Sequence, residues 1–293
     1  MNNKQSAQIS INQVGVLLLG FNRPELLKKR IDEISNTEVK NLFISIDGGS
    51  SSQTQEMEKV KSYAQIKFSK LDHFSLNHHE SNLGLVQHIT REISKVVNIY
   101  EYIIIVEDDI KISANFIKNM INGLNVMKKD NMNGIVSGYS PLHLRILKNK
   151  WRVSRYPFIW GWACTRETWG MYINDLSKVD IELNLEKSKL WQEFNQAQKA
   201  KWLGLFRKAQ NNPLNTWDIQ LAYLSFCKEF TNLTPVFSFI GNEGFNDPRA
   251  VHTKGKKPHL VTTQNLNNTI ITKKTKHFSK IFDKFDRYLM NDF

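Results

Sequence analysis

The feature that most constrains this chain is an apolar run that does not alternate. Residues 14–21, VGVLLLGF, are apolar without a break, which suits a strand buried on both faces. Asn22, Arg23 and Pro24 interrupt it. Proline fits the first turn of a helix, where its missing N–H is no loss, and Leu26, Leu27, Ile31 and Ile34 then recur at helical spacing. The pattern repeats along the chain. Residues 42–46 form a second apolar run ending in Asp47-Gly48-Gly49, 50–62 read as loop and helix, and 68–76 as a weaker strand. Leu85, Val86, Ile89, Ile93, Val96 and Val97 mark an amphipathic helix. Residues 102–106 are a third strong strand, ending in Glu107-Asp108-Asp109. Ser113 is placed to cap the next helix, whose apolar face is Phe116, Ile117, Met120, Ile121, Leu124 and Met127, and 135–139 read as a strand. Buried strands alternating with helices imply an α/β fold with a mostly parallel, doubly wound sheet. Ligands on such sheets sit at the carboxyl ends of the strands. The polar punctuation at Asn22-Arg23, Asp47-Gly48-Gly49 and Glu107-Asp108-Asp109 falls at those ends.

Beyond Trp151 the texture changes. Aromatic residues crowd together at Trp151, Tyr156, Phe158, Trp160, Trp162, Trp169 and Tyr172. Residues 183–210 read as one long basic helical stretch, 216–228 as a further helix carrying Trp217-Asp218, and 235–240 as a strand. Residues 261–275 are polar and read as loose. Phe278, Ile281, Phe282, Phe285 and Leu289 line one face of a basic terminal helix.

Composition excludes several classes. Two cysteines, Cys164 and Cys227, cannot build a disulfide scaffold or a zinc ribbon and fit a reducing cytosol. No apolar run reaches the roughly 18–20 residues that span a membrane, and residues 1–13 hold no apolar segment of signal-peptide type. The expected location is cytoplasmic. The terminal helix either packs on the domain or docks on the inner face of the membrane. Forty Lys and Arg against 28 Asp and Glu leave a net charge of +12, which favours anionic partners without choosing among them. There is no GxGxxG after the first strand, no GxxxxGK[ST] and no GxSxG, so dinucleotide-binding, P-loop and serine-hydrolase readings lack their signatures.

The acidic triplet Glu107-Asp108-Asp109 stands out in a basic chain. Three adjacent carboxylates after a buried strand repel one another, and a divalent cation relieves that repulsion with the hard oxygen ligands it prefers. The plainer alternative is a solvated turn before a helix. Asp47 with its two glycines offers either hydrogen bonding to a nucleoside, with close backbone approach, or a tight turn. Arg23 is placed to pair with a diphosphate. Asn82 and Gly84 open a helix at Asn82-Leu83-Gly84-Leu85, where a helix N-terminus suits phosphate.

In their order, NRP after a first strand, Asp47 after a second, NLGL before a helix and EDD after a buried strand resemble a GT-A fold glycosyltransferase. The pattern is most similar to the N-acetylglucosaminyltransferase I type and to related bacterial enzymes of surface-polysaccharide synthesis (capsule or lipopolysaccharide). The later order, Trp217-Asp218, Pro235, then Gly241, Asn242, Glu243, Gly244, Phe245 and a downstream His252, resembles the same group. The resemblance implies a single domain with a flexible 1–12, a nucleotide-sugar-binding Rossmann-like half at 13–140, a helix-rich acceptor and catalytic half at 141–260, and a basic tail at 261–293. It implies a metal-dependent, inverting transfer of a hexosyl or N-acetylhexosaminyl group from a nucleotide-diphosphate sugar, a UDP-sugar by analogy, to a glycan or lipid-linked acceptor, with no nucleic-acid partner.

The resemblance also implies roles residue by residue. Asp109 and His252 would ligate Mn2+ or Mg2+, and Glu107 and Asp108 would contact sugar or ribose. Arg23, Asp47, Asn82, Gly84 and Gly244 would hold the nucleotide. The stretch Trp160-Gly161-Trp162-Ala163 would floor the sugar site, and Asp218 would be the catalytic base. Two other expectations compete: a nucleotidyltransferase, which would carry a glycine-rich basic loop where this chain has GFNRP, and a non-enzymatic polyanion-binding protein.

Overall fold

The computed structural model describes residues 7–49, 54–142, 144, 147–213, 216–249, 266–271, 273–275, 282 and 286. Among them, β1 (Val14–Gly20), β2 (Asn41–Ile46), β3 (His73–His78) and β4 (Tyr102–Glu107) are joined by α1 (Pro24–Ser35), α2 (Thr54–Lys67) and α3 (Leu85–Ile99). The four strands run parallel in the order β3-β2-β1-β4. After β3 the chain turns back across the sheet to place β4 on the free side of β1. This reversal of strand order leaves a crevice at the carboxyl ends of β1 and β4, where ligands of open α/β sheets bind.

The uninterrupted apolar runs are explained by burial on both sides. Leu17, Leu19, Ile103 and Ile105 pack with Val86, Ile89, Ile93 and Val96 of α3. Val16, Leu18, Ile44 and Ile104 pack with Leu27 and Ile31 of α1 and Met57 and Val60 of α2 on the other face. Each such side chain contributes about 1.5–3 kcal/mol on burial.

The second half comprises β5 (Ile110–Ile112), α4 (Phe116–Lys129), β6 (Val136–Ser137), β7 (Lys150–Ser154), β8 (Trp162–Thr165), α5 (Arg166–Gly170), α6 (Ile181–Glu186), α7 (Lys189–Gln192), α8 (Gln196–Asn211), α9 (Asp218–Cys227), β9 (Asn232–Pro235), β10 (Ile240–Asn242) and β11 (Lys273–Lys274). β8 lies antiparallel to β4, and the sheet continues through β6, β9, β7 and β11 to nine strands, while β5 and β10 form a separate ribbon. Five of the eight neighbouring pairs are parallel. The α/β, mostly parallel, doubly wound expectation therefore holds. Among the described residues no helix is long and apolar enough to cross a membrane.

Several expected elements are corrected. The strand expected at 68–76 begins only at His73, because Phe68 is buried at the end of α2 and its N–H bonds to the Ala64 carbonyl. Ser113 does not cap α4 with its side chain. The N-cap is Asn115, and Ser113 offers its carbonyl to the Phe116 N–H at 3.0 Å. The strand expected at 135–139 is reduced to Val136–Ser137. The stretch 183–210 is broken by two side-chain caps, Ser188 before α7 and an Asn195–Gln198 capping box before α8. The strand expected at 235–240 divides into β9 and β10, since the intervening residues carry the chain from the main sheet to the ribbon. The helix expected at 216–228 starts at Asp218. Part of the stretch read as loose is ordered into the sheet edge as β11 beside β7.

Of the terminal stretch, Phe278, Ile281, Phe285 and Leu289 lie outside the described residues; Phe282 and Asp286 are described. Asp286 is buried against β7. Both its oxygens accept from Arg152, at 2.6 and 2.8 Å, and one also accepts from the Ser154 hydroxyl at 2.8 Å. Removing one partner strands the other charge away from water. Asp286→Ala is therefore expected to cost about 3–5 kcal/mol, read as a fall in urea midpoint. A change under about 1 kcal/mol would show that the pair is dispensable.

Candidate active site

The crevice is built by residues far apart in sequence. Arg23 sits at the N-cap position of α1, just beyond β1, with Pro24 fixing the first turn. Its guanidinium reaches across to the end of β4, where one nitrogen pairs with Asp108 and the other lies 3.1 Å from Asp109 Oδ2. Burial pulls the Arg23 pKa down, but the two carboxylates more than reverse it, so the group is held firmly cationic. The second Asp108 oxygen is buried with no partner. Asp108 is pushed up to about 6 by burial, against the pull of Arg23. Glu107 is pushed up to about 8, first by burial, then by Asp109 and Asp108, and further by Asp218. Burial and the mutual repulsion of the triplet thus act together on Glu107, with Arg23 opposing them.

The β5–β10 ribbon brings a distant loop onto these acids. Asn242 pairs with Ile110, Glu243 N–H bonds to the Asp109 carbonyl at 2.8 Å, and Gly244 follows. A Cβ at Gly244 would stand 2.4 Å from Asp109 Oδ2, so any other residue here would displace that carboxylate. Arg30, buried on α1, pins the loop through Glu243 at 2.9 Å, and Arg249 joins Asp247 at 2.7 Å to Glu25 and the Asn22 carbonyl. Asp247, Arg249 and Arg30 were not singled out from the sequence, and Glu243 only as part of the stretch around Gly244. The only signal was the density of polar residues around Gly244.

Asp218 is the first residue of α9 and is exposed. Its carboxylate accepts from Thr216 Oγ1 and from the Ile219 N–H at 3.0 Å. Its charge reaches both Glu107 and Tyr172 and raises each. The structure therefore gathers Arg23, Glu107, Asp108, Asp109 and Gly244 at the end of β4, with Asp218 near enough for its charge to act on Glu107.

Other expected residues are placed differently. Asp47 is buried and turned onto its own chain: it accepts from the N–H groups of Gly48 at 2.9 Å, Leu83 at 2.8 Å and Gly84 at 3.1 Å. The glycine beside it serves a similar end. A Cβ at Gly48 would meet the Ser81 carbonyl carbon at 2.2 Å. Asp47 and Gly48 thus clamp the loop that carries Asn82, whose own side chain accepts from Gly84 N–H at 2.7 Å. Trp162 is 1% exposed and stacks on Trp217 at 5.8 Å. A ring closed off in this way presents no surface to a ligand, in contrast to the expectation that it floors the sugar site. The half-buried aromatic of the stretch is Trp160, 5.7 Å from the Phe245 ring. His252 lies outside the described residues.

Behind Asp47 sits a buried polar cluster. His88 Nε2 is 2.9 Å from Ser45 Oγ, its ring meets His79 edge-on at 5.5 Å, and His79 lies 3.3 Å from Glu92. His88 is pushed down to about 4 by burial, with Asp47 and Glu92 opposing and His79 and Lys95 assisting. Below its ordinary value of 6.5 the unfolded chain binds a proton that the folded chain refuses until about pH 4. Stability contributed by neutral His88 is thus lost as pH falls through that window, by at most ~1.4 kcal/mol per pH unit. Urea midpoints of His88→Gln are expected to fall less steeply with acidification than those of the wild type. Parallel slopes would contradict it.

Among the described residues no group of three His, Cys, Asp or Glu is assembled to hold a metal. Asp109 and Asp108, the latter with its orphaned oxygen, do fit an ion that takes one or two carboxylates and completes its shell with water and phosphate.

The sequence matches no protein-family model and no curated protein. Among solved structures, the chain is similar to the mannosyltransferase PcManGT from Pyrobaculum calidifontis in complex with GDP-Man and Mn2+, with a TM-score of 0.43 and 11% identity over 74% of this chain and 68% of that one. It is similar to the glycosyltransferase GlyE of Streptococcus pneumoniae TIGR4, at a TM-score of 0.32 and 9% identity over 74% of this chain and 45% of that one. It is also similar to 4-diphosphocytidyl-2C-methyl-D-erythritol synthase of Anaerococcus prevotii DSM 20548, at a TM-score of 0.30 and 9% identity over 67% of this chain and 84% of that one. By name, two of these three are glycosyltransferases and the third is a synthase of a diphosphocytidyl compound.

Proposed function

We propose that the chain is an inverting glycosyltransferase that moves a hexosyl or N-acetylhexosaminyl group from a nucleotide-diphosphate sugar to a hydroxyl of a glycan or lipid-linked acceptor. The observation that carries this reading is the meeting of Arg23, Asp108 and Asp109 where the strand order reverses, with the exposed carboxylate of Asp218 near enough for its charge to act on Glu107.

Asp109, with Asp108, would hold Mn2+ or Mg2+, which when bound supplies Lewis-acid neutralisation of the leaving diphosphate. Arg23 offers a second positive charge and a planar fork suited to phosphate oxygens. Donor entry would draw part of that fork from the carboxylates to the diphosphate. The loop clamped by Asp47, with Asn82 and Gly84, forms the nucleoside side of the crevice. Trp160 and Gly244 lie on the sugar side. Asp218 accepts the proton of the acceptor hydroxyl. That oxygen bonds to the anomeric carbon, the carbon–oxygen bond to the diphosphate breaks, and the nucleoside diphosphate departs. A single base on the acceptor side serves a single displacement, hence inversion.

A panel of UDP-, GDP-, CDP- and dTDP-sugars, read by thermal shift with and without Mn2+ and followed by product analysis, tests the proposal. Mn2+-dependent stabilisation by one donor class and release of nucleoside diphosphate are expected. In a parallel arm, conversion of a nucleoside triphosphate and a sugar 1-phosphate to the nucleotide-sugar with release of inorganic pyrophosphate would identify a nucleotidyltransferase instead.

A further inference from the structure

A second concavity lies beside the crevice and is not used by the chemistry above. It is a groove of about 610 Å3 between α3 and the α5 region, lined by Arg91, Ser94, Asn98, Arg166, Trp169 and Tyr172. Its size suits a small molecule or a short oligosaccharide. Hydrogen bonds run from its lining to residues in or beside the site. Leu83 lines the groove and donates its N–H to Asp47 at 2.8 Å. Tyr172 donates its hydroxyl to the Trp217 carbonyl at 3.0 Å, next to Asp218, and the Asn174 carbonyl accepts from Gln220 of α9 at 3.3 Å.

Three features of the lining define a ligand. The first is unspent positive charge. Arg91 makes a single long ion pair, 3.9 Å to Glu92, which Lys95 already holds at 2.5 Å. Arg166 donates only to the carbonyls of Val97 and Asn98 and has no carboxylate partner among the described residues. Both guanidinium groups are exposed and lie on one concave surface. The second is an aromatic platform. Trp169 backs the Tyr172 ring at 4.5 Å, nearly parallel at 7°, and is itself fixed by donating to Ser94 Oγ at 3.0 Å. Tyr172 is only partly buried, which leaves part of its side chain on the groove wall to meet the apolar face of a ring. The third is a set of neutral hydrogen-bonding side chains, Gln87, Thr90 and Asn98, along the α3 wall. Rigid aromatic area, amides and hydroxyls together match a polyhydroxylated ring, and two exposed arginines, one with a single long ion pair and one with no carboxylate partner among the described residues, match an anion on it.

We infer that this groove binds an anionic carbohydrate, one bearing a carboxylate or a phosphate, and that it forms the outer part of the acceptor site leading to Asp218. The second clause rests on the function proposed above; the binding itself does not. The net charge of +12 acts in the same direction at longer range.

Calorimetric titration of the whole chain with three tetrasaccharides, one neutral, one of uronic acids and one phosphorylated, tests the inference. The two anionic probes are expected to bind at least tenfold more tightly than the neutral one, and their ranking identifies which anion the groove takes. Arg91→Ala, at an exposed position with one long ion pair, is expected to weaken anionic binding about tenfold. Arg166→Gln is expected to do the same. Both variants should keep the melting shift that Mn2+ gives the wild type. Asp218→Asn should keep saccharide binding, because the carboxylate is not part of the groove wall. Equal affinity for neutral and anionic probes, no binding by any of the three, or undiminished binding by Arg91→Ala would each overturn the inference. Tighter, Arg91-dependent binding of a twelve-base oligothymidylate would overturn it in favour of a nucleic-acid groove. A missing Mn2+ or donor response with intact anionic binding would sink the proposed function and leave the groove standing.

Discussion

Asp218→Asn is expected to lower kcat about 10²- to 10⁴-fold, the range in which a positioned general base contributes, while KM for the donor stays within a few-fold. The amide keeps the size of the carboxylate and the contacts made with Thr216 and the Ile219 N–H, but it cannot take a proton. Losing a negative charge from the first residue of α9 removes a favourable interaction with the helix N-terminus, worth about 0.3–1 kcal/mol at an exposed site. The melting temperature should therefore move little. Steady-state kinetics and the donor-induced thermal shift, measured on the same preparation, separate the outcomes. Equal loss of donor binding and turnover would assign Asp218 a structural place. Unchanged turnover would remove it from the chemistry altogether.

Asp109→Ala is the second large effect. It should abolish the Mn2+-induced melting shift and reduce transfer about 10³-fold, since charge neutralisation of a leaving diphosphate is worth several kcal/mol. Its effect on the ligand-free protein is expected to have the opposite sign to that of a structural mutation. Glu107, Asp108 and Asp109 crowd three acids against one guanidinium, and Glu107 is pushed up partly by Asp109 itself. Removing one acid relieves that repulsion and leaves Arg23 paired with Asp108, so stability without metal should be unchanged or higher. A site that holds mutually repelling groups gives up stability for function. Differential scanning with and without Mn2+ reads both effects. Loss of stability together with a retained Mn2+ shift would mean that Asp109 serves the fold and not the cation.

Much of the fold was legible because it is governed by local pattern. The continuous runs at 14–21 and 102–106 are strands covered on both faces, and the helical spacing of Leu26, Leu27, Ile31 and Ile34 is the buried face of α1. Pro24 and the polar residues at strand ends marked the turns. What was misread shows where local pattern fails. The 183–210 stretch looked like one helix because its composition is uniform, yet Ser188 and Asn195 offer their side chains to backbone N–H groups and divide it. Trp162 and Trp160 are indistinguishable as neighbours in sequence. The pairing of Ala163 with Ile104 and Val136 turns the Trp162 ring into one core, while Trp160, outside the strand, meets Tyr139 and Phe245.

The sequence by itself determined the class of fold and the strand ends at which polar chemistry would gather, because burial on two faces and helical periodicity are written in consecutive residues. Only the tertiary structure decided which of those ends meet. Arg23 joins Asp108 and Asp109 across 85 and 86 residues, and Arg30 joins Glu243 across 213, because a crossover places β4 beside β1 and a two-stranded ribbon returns the 243–249 loop to the acids. It also turned Asp47 inward onto backbone amides while leaving Asp218 in the open. Both are single aspartates at an element boundary, and what distinguishes them is the neighbouring chain that supplies or withholds donors, a property of packing that no local stretch of residues encodes.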